Sequence, residues 1–552
     1  MSYHFDLGGW SRTISTRSED AQQWFDRGLN WTYGYNHEEA VVCFRNAVQD
    51  DPECAMAWWG IALTAGPFYN RPWIRHSNVE VAEVVPRCRA AIDTALALAS
   101  TASPTEKALI RALALRYQNA DERDPHVLNR WHAQYADAMR EVYASFPDDP
   151  DIAALYIEAA VTCTPRQLWD LQSGLPKPGS RTAEVLPVLT DWMQRIDQTG
   201  QVHPGIAHMC IHALEMSPTP QNALKAADML VGLAPDAGHL EHMAAHVYVL
   251  CGDYARAVLQ SERSVLADDK YLAHAGDQNF YTTARCHDLH LFMYSAMFLG
   301  QFRKALYAAD RICEMARPEL IAASPPFMAS ILDGYAAMRI HVLVRFGRWD
   351  ELIALQAPER AGLRPIGLAM HAYGQGVAFA ATGDTYMAAK ALSRLREAKA
   401  AIPADAIFLS NVVQDMLAVA EAMLEGELEY RNRNYDTAFE LLSLAIDRDD
   451  ALNFTEPWAW MHPPRHALGA LLAEQCMFEE AEAVFRADLG LTNDLARPCQ
   501  HPDNVWALQG LVDCLTATGK SSTARVFYQR LEIVKARADI DISSACFCSG
   551  RN

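Results

Sequence analysis

The sequence has little positive charge for its length and no segment that concentrates it. Its 552 residues include 48 lysines and arginines against 68 aspartates and glutamates, which gives a net charge of −20 with histidine neutral. Binding to nucleic acid phosphates needs a basic stripe or patch, and none is present. The charge balance therefore argues against a nucleic acid partner and favours a soluble protein.

Long apolar runs and processing signals are also missing. No apolar run approaches the ~20 residues of a membrane-spanning helix, and the opening segment MSYHFDLGGWSRTISTRSED lacks the regions of a signal peptide. The 13 cysteines lie mostly in predicted helices and form no Cys-x-x-Cys pair, which is typical of reduced core residues. We expect a cytoplasmic protein with no membrane partner. For the tail pair, Cys546 and Cys548, a frayed terminus is the favoured interpretation, with a metal-binding or labile disulfide pair as the alternative.

The alternation of β-branched and polar residues that marks strands is nearly absent. Windows rich in alanine and leucine, such as 90–100 and 106–117, carry apolar residues at helical spacing instead. No Gly/Ser/Pro-rich linker divides the chain. These features predict an all-α protein that forms one continuous structure over residues 1–552.

A 34-residue period organises the predicted helices. Residues 21–54 carry the repeat's aromatic, small and helix-ending residues at Trp24, Gly28, Trp31, Ala40, Phe44, Ala47 and Pro52. The same frame fits 204–237 and 238–271, and it resumes at Cys286 after a 14-residue insertion, 272–285. On these residues the chain resembles the tetratricopeptide-repeat (TPR) family over nearly all its length. The resemblance implies a superhelical solenoid of helix-turn-helix units with a concave groove.

Histidines repeat at fixed positions in the three units that begin at Pro204, Gly238 and Cys286. The histidines at the fifth position are His208, His242 and His290; those at the second are His239 and His287; those at the ninth are His212 and His246. Glu215 occupies the twelfth position of its unit. At ~100° per residue these offsets span roughly 80° of a helix surface, so one face carries them all.

Repeat stacking brings such faces together. Equivalent positions of adjacent units lie roughly 10 Å apart, and imidazoles spaced by three or four residues can grip one ion. We therefore predict a metal site in the histidine-bearing repeats, residues 204–313, with the fifth position as its central row. A polar substrate-binding groove and incidental core histidines are the alternatives.

The histidine motifs narrow the resemblance further. The chain carries His-x-x-x-His-x-x-Glu at 208–215, His-x-x-His-x-x-x-His at 239–246 and His-x-x-His at 287–290. In this it resembles a large group of bacterial TPR proteins with the same three motifs, except that Asp288 stands where asparagine is usual. The resemblance implies a shared site and no particular reaction.

The number and type of predicted ligands indicate how many ions the site would bind and of which metals. Seven imidazoles exceed the four ligands of a structural zinc, so two ions, or one ion with a polar surround, are expected. Imidazole-rich sets favour copper, whereas imidazole with carboxylate suits iron, manganese or zinc. Glu215 is predicted to be a ligand, a base or a proton shuttle.

Further residues are assigned to the groove on weaker grounds. Tyr281 and Tyr294 are predicted to hydrogen-bond a bound oxygen species and to assist catalysis. The predicted substrate-binding residues are Glu158, Asp277, Arg465 and His466, with Arg465 placed to hold a substrate carboxylate. His37, in the turn of the first unit, is more typical of a helix cap than of a ligand.

Two classes of function follow from these predictions. The favoured one is a metal-dependent oxidoreductase or oxygenase, using copper or iron, that acts on a small molecule or peptide in the groove. The same site with zinc would make a hydrolase. The alternative is a non-catalytic TPR module that binds a peptide or protein partner.

Overall fold

The computed structural model describes residues 3–549, and this part of the chain is built almost entirely from α-helices. It divides into two compact units: unit 1 is Met1–Val247 with Arg263–Tyr281, and unit 2 is Tyr248–Glu262 with Thr282–Asn552. The helices of unit 1 are α1 (Glu19–Tyr33), α2 (His37–Asp50), α3 (Ala55–Ala65), α4 (Asn78–Leu98), α5 (Pro104–Ala114), α6 (Pro125–Ser145), α7 (Pro150–Val161), α8 (Thr182–Thr199), α9 (Pro204–Leu214) and α10 (Leu224–Leu230).

Three helices fall in the part of the sequence where the division runs. They are α11 (Gly238–Leu250), α12 (Tyr254–Ala275) and α13 (Tyr281–Phe298). The remaining helices belong to unit 2: α14 (Phe302–Met315), α15 (Pro318–Ala323), α16 (Pro326–Tyr335), α17 (Met338–Arg345), α18 (Trp349–Ala354), α19 (Pro365–Ala381), α20 (Thr385–Ala401), α21 (Val413–Arg431), α22 (Tyr435–Asp450), α23 (Pro464–Glu474), α24 (Phe478–Asp488), α25 (Val505–Ala517) and α26 (Ser521–Lys535).

Strand structure in the described residues is limited to one short hairpin. Strands β1 (Ile407–Phe408) and β2 (Asn411–Val412) pair antiparallel, with Ile407 opposite Val412 and Phe408 opposite Asn411. Short 3₁₀ helices occupy Trp73–Arg75, Ala99–Thr101, Pro220–Ala223, Ala361–Leu363 and Arg497–Cys499. The prediction of an all-α, TPR-like helical-repeat protein is confirmed.

Small residues at the helix crossings explain why consecutive helices pair. A Cβ at Gly28 in α1 would lie 2.7 Å from the Phe44 ring of α2, and one at Gly60 in α3 would lie 2.5 Å from the same ring. The glycines thus allow three consecutive helices to close around one aromatic side chain. This is the packing role that the repeat pattern gave to Gly28 and Phe44.

The helices of unit 2 pair regularly, whereas the elements near the histidines depart from the predicted repeat pattern. Four consecutive helix pairs run from α19 to α26. The predicted insertion 272–285 is partly helical, because α12 continues to Ala275 and α13 already begins at Tyr281. The second helix of the unit at 204–237 is short and begins with the 3₁₀ turn Pro220–Ala223.

One apolar segment is longer than the sequence analysis allowed. Pro326–Arg345 has the length and composition of a membrane span, with a mean hydropathy of 1.3, and 72% of it is buried. It is broken into α16 and α17 around Ala336. This degree of burial and the break are those of core helices rather than of a lipid-facing one.

Candidate metal centre

The predicted metal-binding histidines of unit 1 are carried by α9 and by the part of α11 that precedes Tyr248. Helix α9 packs against α1, α7 and α8, and it approaches α1 closely because residue 205 is glycine. A Cβ at Gly205 would lie 2.6 Å from the Tyr33 ring. Helix α11 begins at Gly238, where a Cβ would collide with the Asp268 carboxylate. Glycine at both positions therefore sets where the histidine-bearing helices lie.

Three imidazoles form a compact group. His208 and His212 of α9 and His239 of α11 each offer a ligand nitrogen, and these nitrogens lie within 4.8 Å of one another. All three side chains are buried. The spacing is that expected of nitrogens converging on one ion, given metal–nitrogen bonds of ~2.1 Å.

An aromatic ring from the first repeat holds these imidazoles in place. The Tyr35 ring stacks on His212 and His239, with centroids 6.0 and 5.5 Å away, and lies 4.4 Å from the His208 ring. Tyr35 has a positive φ of 55°, a conformation that directs its side chain out of the α1–α2 turn. The Tyr69 ring covers His212 from another direction at 4.5 Å.

Glu215 lies behind the histidines and contacts two of them. Its Oε1 is 2.8 Å from Nδ1 of His212, and its Oε2 is 2.7 Å from Nδ1 of His246. An ionised carboxylate only accepts, so both Nδ1 atoms donate, and each Nε2 keeps its lone pair. This is how a carboxylate orients metal-binding imidazoles in known sites. Both Glu215 oxygens are thus engaged by imidazoles.

A second contact joins two imidazoles directly. Nε2 of His246 lies 2.7 Å from Nε2 of His242, with ring centroids 4.6 Å apart. Two imidazole nitrogens at this distance share either a proton or a cation, because two facing lone pairs repel. The pair lies next to the first group, since His242 stacks on His239 at 5.7 Å and His246 lies 6.0 Å from His212.

The protonation state of His208 suits a ligand. Its Nδ1 donates to the Tyr33 carbonyl at 2.7 Å, and its Nε2 is buried and bonds to no other described residue. Burial lowers the pKa of His208 well below its usual range, and the neighbouring His212 and His239 lower it further. His208 is therefore neutral at pH 7 with its Nε2 lone pair available.

A small cavity opens beside this group. Its lining includes Tyr35, His37, Arg116, Glu158 and His208, and it has room for about one molecule of the size of water. Burial raises the pKa of Glu158, whose Oε1 accepts from Thr162 at 2.9 Å and from the Tyr69 amide at 3.3 Å. The predicted substrate-binding residue Glu158 thus lies at the cavity and is fixed there.

The other predicted residues of unit 1 lie around the centre. Tyr281 donates to Asp268 at 3.0 Å and accepts from the His239 amide at 3.2 Å, so its hydroxyl holds the start of α11. Asp277 lies half-buried in the turn after α12. His37 is the first residue of α2, and its Nδ1 is 3.2 Å from the Thr64 carbonyl. His203 caps α9 and contacts Asp151 at 3.1 Å.

The predicted site residues of unit 2 are described separately. His287 and His290 lie on α13. Both ring nitrogens of His290 are buried and accept or donate no hydrogen bond within the described chain, and its ring is 5.4 Å from that of Tyr335. Burial, with the nearby His341, lowers the pKa of His290 to about 3.

Arg465, His466 and Tyr294 also have defined partners in unit 2. Arg465 makes two bonds to Asp450, at 2.6 and 2.5 Å, so its guanidinium is already paired with a carboxylate of its own chain. His466 lies between Arg345 and Asp488, at 2.9 Å from each. The Tyr294 ring packs on Phe298 at 4.4 Å. The structure shows no exposed carboxylate-binding arginine at position 465.

Two contributors escaped the sequence reasoning. Tyr35 and Tyr69 lie outside the histidine repeats and align with no histidine position, so register alone does not identify them. The aromatic-rich turn Tyr33-Gly34-Tyr35-Asn36 was the available signal. Its Tyr33 carbonyl and Tyr35 ring both contact His208.

Comparisons with known proteins find only distant similarity. No protein-family model and no curated protein matches the sequence. The chain is similar to a structure of Naa15/Naa10 bound to HypK-THB, with 12% sequence identity, 93% of this chain and 70% of that chain covered, and a TM-score of 0.21. It is similar to the human IFIT1 dimer with m7Gppp-AAAA, with 10% identity, 95% and 92% of the two chains covered, and a TM-score of 0.32. It is also similar to yeast Tom70, with 13% identity, 93% and 99% of the two chains covered, and a TM-score of 0.32. Nothing about ligands or partners is carried over from structures this distant.

Proposed function

We propose that unit 1 binds one or two transition-metal ions through His208, His212, His239, His242 and His246, and that the centre supports oxidoreductase chemistry. The observation that carries the proposal is the orientation of these buried imidazoles. Glu215 holds His212 and His246 from behind, and the Tyr33 carbonyl holds Nδ1 of His208. One ligand nitrogen from each of His208, His212 and His239 lies within 4.8 Å of the other two, and Nε2 of His246 faces Nε2 of His242. The placement of His287 and His290 in the same centre stays a prediction.

Energetics favour a cation in this position. Burying Nε2 of His208 without a hydrogen-bond partner among the described residues costs roughly 1–3 kcal/mol. A divalent or monovalent metal ion satisfies several imidazole lone pairs at once. Protonating His208 would not serve, because burial and the proximity of His212 and His239 lower its pKa and oppose a positive charge on it.

The ligand chemistry favours copper over iron. Both oxygens of Glu215 are engaged by imidazole N–H groups, so the ligand set of unit 1 is imidazole alone. Iron and manganese sites usually include a carboxylate, whereas imidazole-only sets suit copper and zinc. Copper is redox-active and zinc is not, so copper fits the oxidoreductase reading and zinc the hydrolase.

The cavity beside His208 suits a small reactant. It holds about one molecule the size of water or dioxygen, and its walls include Tyr35, Glu158 and Arg116. A larger co-substrate, a small organic molecule or a peptide, would have to approach from outside this cavity. We propose dioxygen as the cavity's occupant.

Elemental analysis of native protein purified without a histidine tag tests the metal. We expect one or two ions of copper per chain, or uptake of that amount on reconstitution. His246→Gln and His212→Gln should lose most of this metal and stay helical. The matched control is His132→Gln, because His132 is equally buried but bonds the Ala159 carbonyl at 3.0 Å, away from the centre. Wild-type protein that takes up no copper, iron or zinc would overturn the proposal.

Spectroscopy separates the redox reading from the hydrolytic one. A copper centre should give an electron paramagnetic resonance signal in air that disappears with reductant and returns with oxygen. Zinc, which is d¹⁰, gives none. Bound zinc with silent spectra, together with retained metal in the His132→Gln control, would leave the metal site in place and replace the oxidoreductase with a hydrolase.

A further inference from the structure

The end of the described chain is held firmly on unit 2. The Arg345 guanidinium donates to the Ala545 carbonyl at 2.8 Å, and Arg431 donates to the Cys548 carbonyl. Phe547 packs on Gly347, where a Cβ would lie 2.7 Å from it. The expectation of a frayed terminus is therefore wrong for residues 544–549, because buried arginines and an aromatic anchor fix this segment.

A disulfide between Cys546 and Cys548 lies within this segment. The other cysteines of the described chain are free thiols. Cys548 is buried, at 2% exposure, whereas Cys546 is partly exposed. The Cys548 amide lies 3.2 Å from the Cys546 sulfur and donates to it. One cysteine is thus partly exposed and its sulfur accepts from an N–H, whereas the other cysteine is buried.

A buried carboxyl group lies beside the two sulfurs. Glu427 of α21 is 2% exposed, and one of its oxygens lies within 4.8 Å of both sulfurs. Its Oε2 accepts no hydrogen bond from the described residues, and the nearest guanidinium nitrogen, in Arg431, is 3.9 Å away.

The surroundings of Glu427 bring its pKa close to neutral pH. Burial raises its pKa to about 7, with Arg431 lowering the pKa and Glu474 raising it. Tyr373, of α19, also faces this carboxyl group. At pH 7 the group can therefore both give and take a proton.

We propose that Cys546 and Cys548 form a redox-active disulfide that exchanges with low-molecular-weight thiols such as glutathione, with Cys546 as the attacked sulfur, Cys548 as the leaving sulfur and Glu427 as the proton donor and acceptor. The site is distinct from the histidine centre and does not depend on its metal. It would make the protein a thiol–disulfide exchange partner in addition to any activity in unit 1.

The exchange balances as follows. A thiolate attacks the Cys546 sulfur, the bond to Cys548 breaks, and the Cys548 sulfur leaves with the electron pair and takes the proton of Glu427. A second thiolate then attacks the external sulfur of the mixed disulfide and releases Cys546 as a thiolate, which the Cys548 N–H stabilises. Two external thiolates are oxidised to one external disulfide, and the protein disulfide is reduced to the Cys548 thiol and the Cys546 thiolate. Glu427 then regains its proton from water.

Alkylation and mass spectrometry of the tryptic peptide 538–551 test the exchange in the folded full-length protein. Native protein is incubated with glutathione buffers, quenched with acid and alkylated. We expect reduction of this pair while the chain stays folded, and Cys548→Ser should accumulate glutathione on Cys546. Cys546→Ser should accumulate much less on Cys548. No reduction without denaturant, or glutathione mainly on Cys548, would overturn the proposal.

A second experiment tests the role of Glu427 with one variant and one matched control variant. Glu427→Gln should slow reduction at pH 7 by roughly tenfold or more, since positioned acids typically contribute at least that. Glu429→Gln is the matched control, because Glu429 lies on the same helix and bonds Asn434 at 2.6 Å. Circular dichroism confirms that both variants are folded. The wild-type rate constant for the thiolate form should fall as pH rises through 7, and Glu427→Gln should lose this fall. Equal rates and equal pH profiles in wild type and Glu427→Gln would remove Glu427 from the mechanism and overturn the proposal.

Discussion

Each unit contains a buried carboxylate that contacts two imidazoles, and the two arrangements differ in what lies beyond the imidazoles. In unit 1, Glu215 contacts His212 and His246 at 2.8 and 2.7 Å. In unit 2, Asp488 contacts His466 and His501 at 2.9 and 2.8 Å. Both carboxylates are fully buried and their distances to the imidazoles are similar, although one is a glutamate and the other an aspartate.

The two clusters differ in what the second ring nitrogen of an imidazole contacts. The remaining nitrogen of His246 faces His242 at 2.7 Å, whereas that of His466 faces the Arg345 guanidinium at 2.9 Å. A guanidinium only donates and is itself a cation, so it occupies the place that a metal would take. The Asp488 cluster is thus a closed hydrogen-bond network that stabilises unit 2, and the Glu215 cluster offers lone pairs to a ligand.

Electrostatics of the two clusters agree with this difference. Burial lowers the pKa of His466 to about 4, against the opposing effect of Asp488. Burial by itself would raise the pKa of Asp488. The contacts with His466 and His501 outweigh burial and hold this pKa well below its usual range. At pH 7 the network is a buried anion that accepts from the neutral His466 imidazole and from Asn504, which donates at 2.9 Å, and that contacts His501 at 2.8 Å.

The largest expected effect comes from breaking the closed network. Asp488→Asn places an amide where an imidazole N–H needs an acceptor, so the free energy of unfolding should fall by roughly 1.5–3 kcal/mol. Urea unfolding measures it. Metal content should not change. A loss of metal in this variant without loss of stability would show that the two clusters do not differ as described.

The corresponding change in unit 1 should act on the metal rather than on the fold. Glu215→Gln keeps the shape but leaves one imidazole N–H without its acceptor, and the dissociation constant for the metal should rise about 10–100-fold. Competition with a chelator of known affinity measures the constant. Metal affinity equal to wild type would mean that Glu215 does not orient the ligands.

The sequence was sufficient for the fold and for part of the centre. Repeat register predicted the helix pairs and placed His208, His212 and His239 on facing surfaces, because register fixes which side of a helix a residue occupies. It could not predict that the Tyr35 ring would stack on His212 and His239. That contact depends on a positive φ and on the close approach of α9 at Gly205, neither of which repeats.

Prediction from repeat register also assumed that equivalent positions in different repeats have similar surroundings. His466 was predicted to bind substrate, yet Arg345 and Asp488 each contact it at 2.9 Å. Arg465 appeared to be a free cation in the sequence, and its partner Asp450 lies on a different helix. Pairings of this kind arise between elements, and a single-sequence pattern carries no information on them.

The pH dependence of the free energy of unfolding should distinguish a buried imidazole from an exposed one. Burial lowers the pKa of His132 to about 3, from an ordinary value of 6.5. Between these values the unfolded chain binds a proton that the folded chain does not, so stability is complete above pH 6.5 and falls as the pH falls toward 3. His132→Gln should reduce the pH dependence of the unfolding free energy by about 1.4 kcal/mol per pH unit in this window.

Metal-free protein is the sample for this measurement, so that metal release does not contribute. Urea unfolding at pH 7, 6 and 5 gives the slopes. His126→Gln, at an exposed position on the same helix α6, is the control variant. Slopes that are identical for His132→Gln and wild type would show that His132 is protonated in the folded protein.

The smallest effects come from a pair of tyrosines that contact the histidines differently. In unit 2 the Tyr373 hydroxyl lies 3.0 Å from Nε2 of His462, a buried hydrogen bond to an imidazole. In unit 1 the Tyr35 hydroxyl points to the Met209 sulfur at 3.6 Å, a weak acceptor, and its ring makes the histidine contacts. Tyr373→Phe should therefore cost about 1 kcal/mol of unfolding free energy, and Tyr35→Phe about half of that or less. Because phenylalanine keeps the ring, Tyr35→Phe should also retain the wild-type metal content. A cost for Tyr35→Phe as large as that for Tyr373→Phe, or a loss of metal, would place the Tyr35 hydroxyl rather than its ring at the centre.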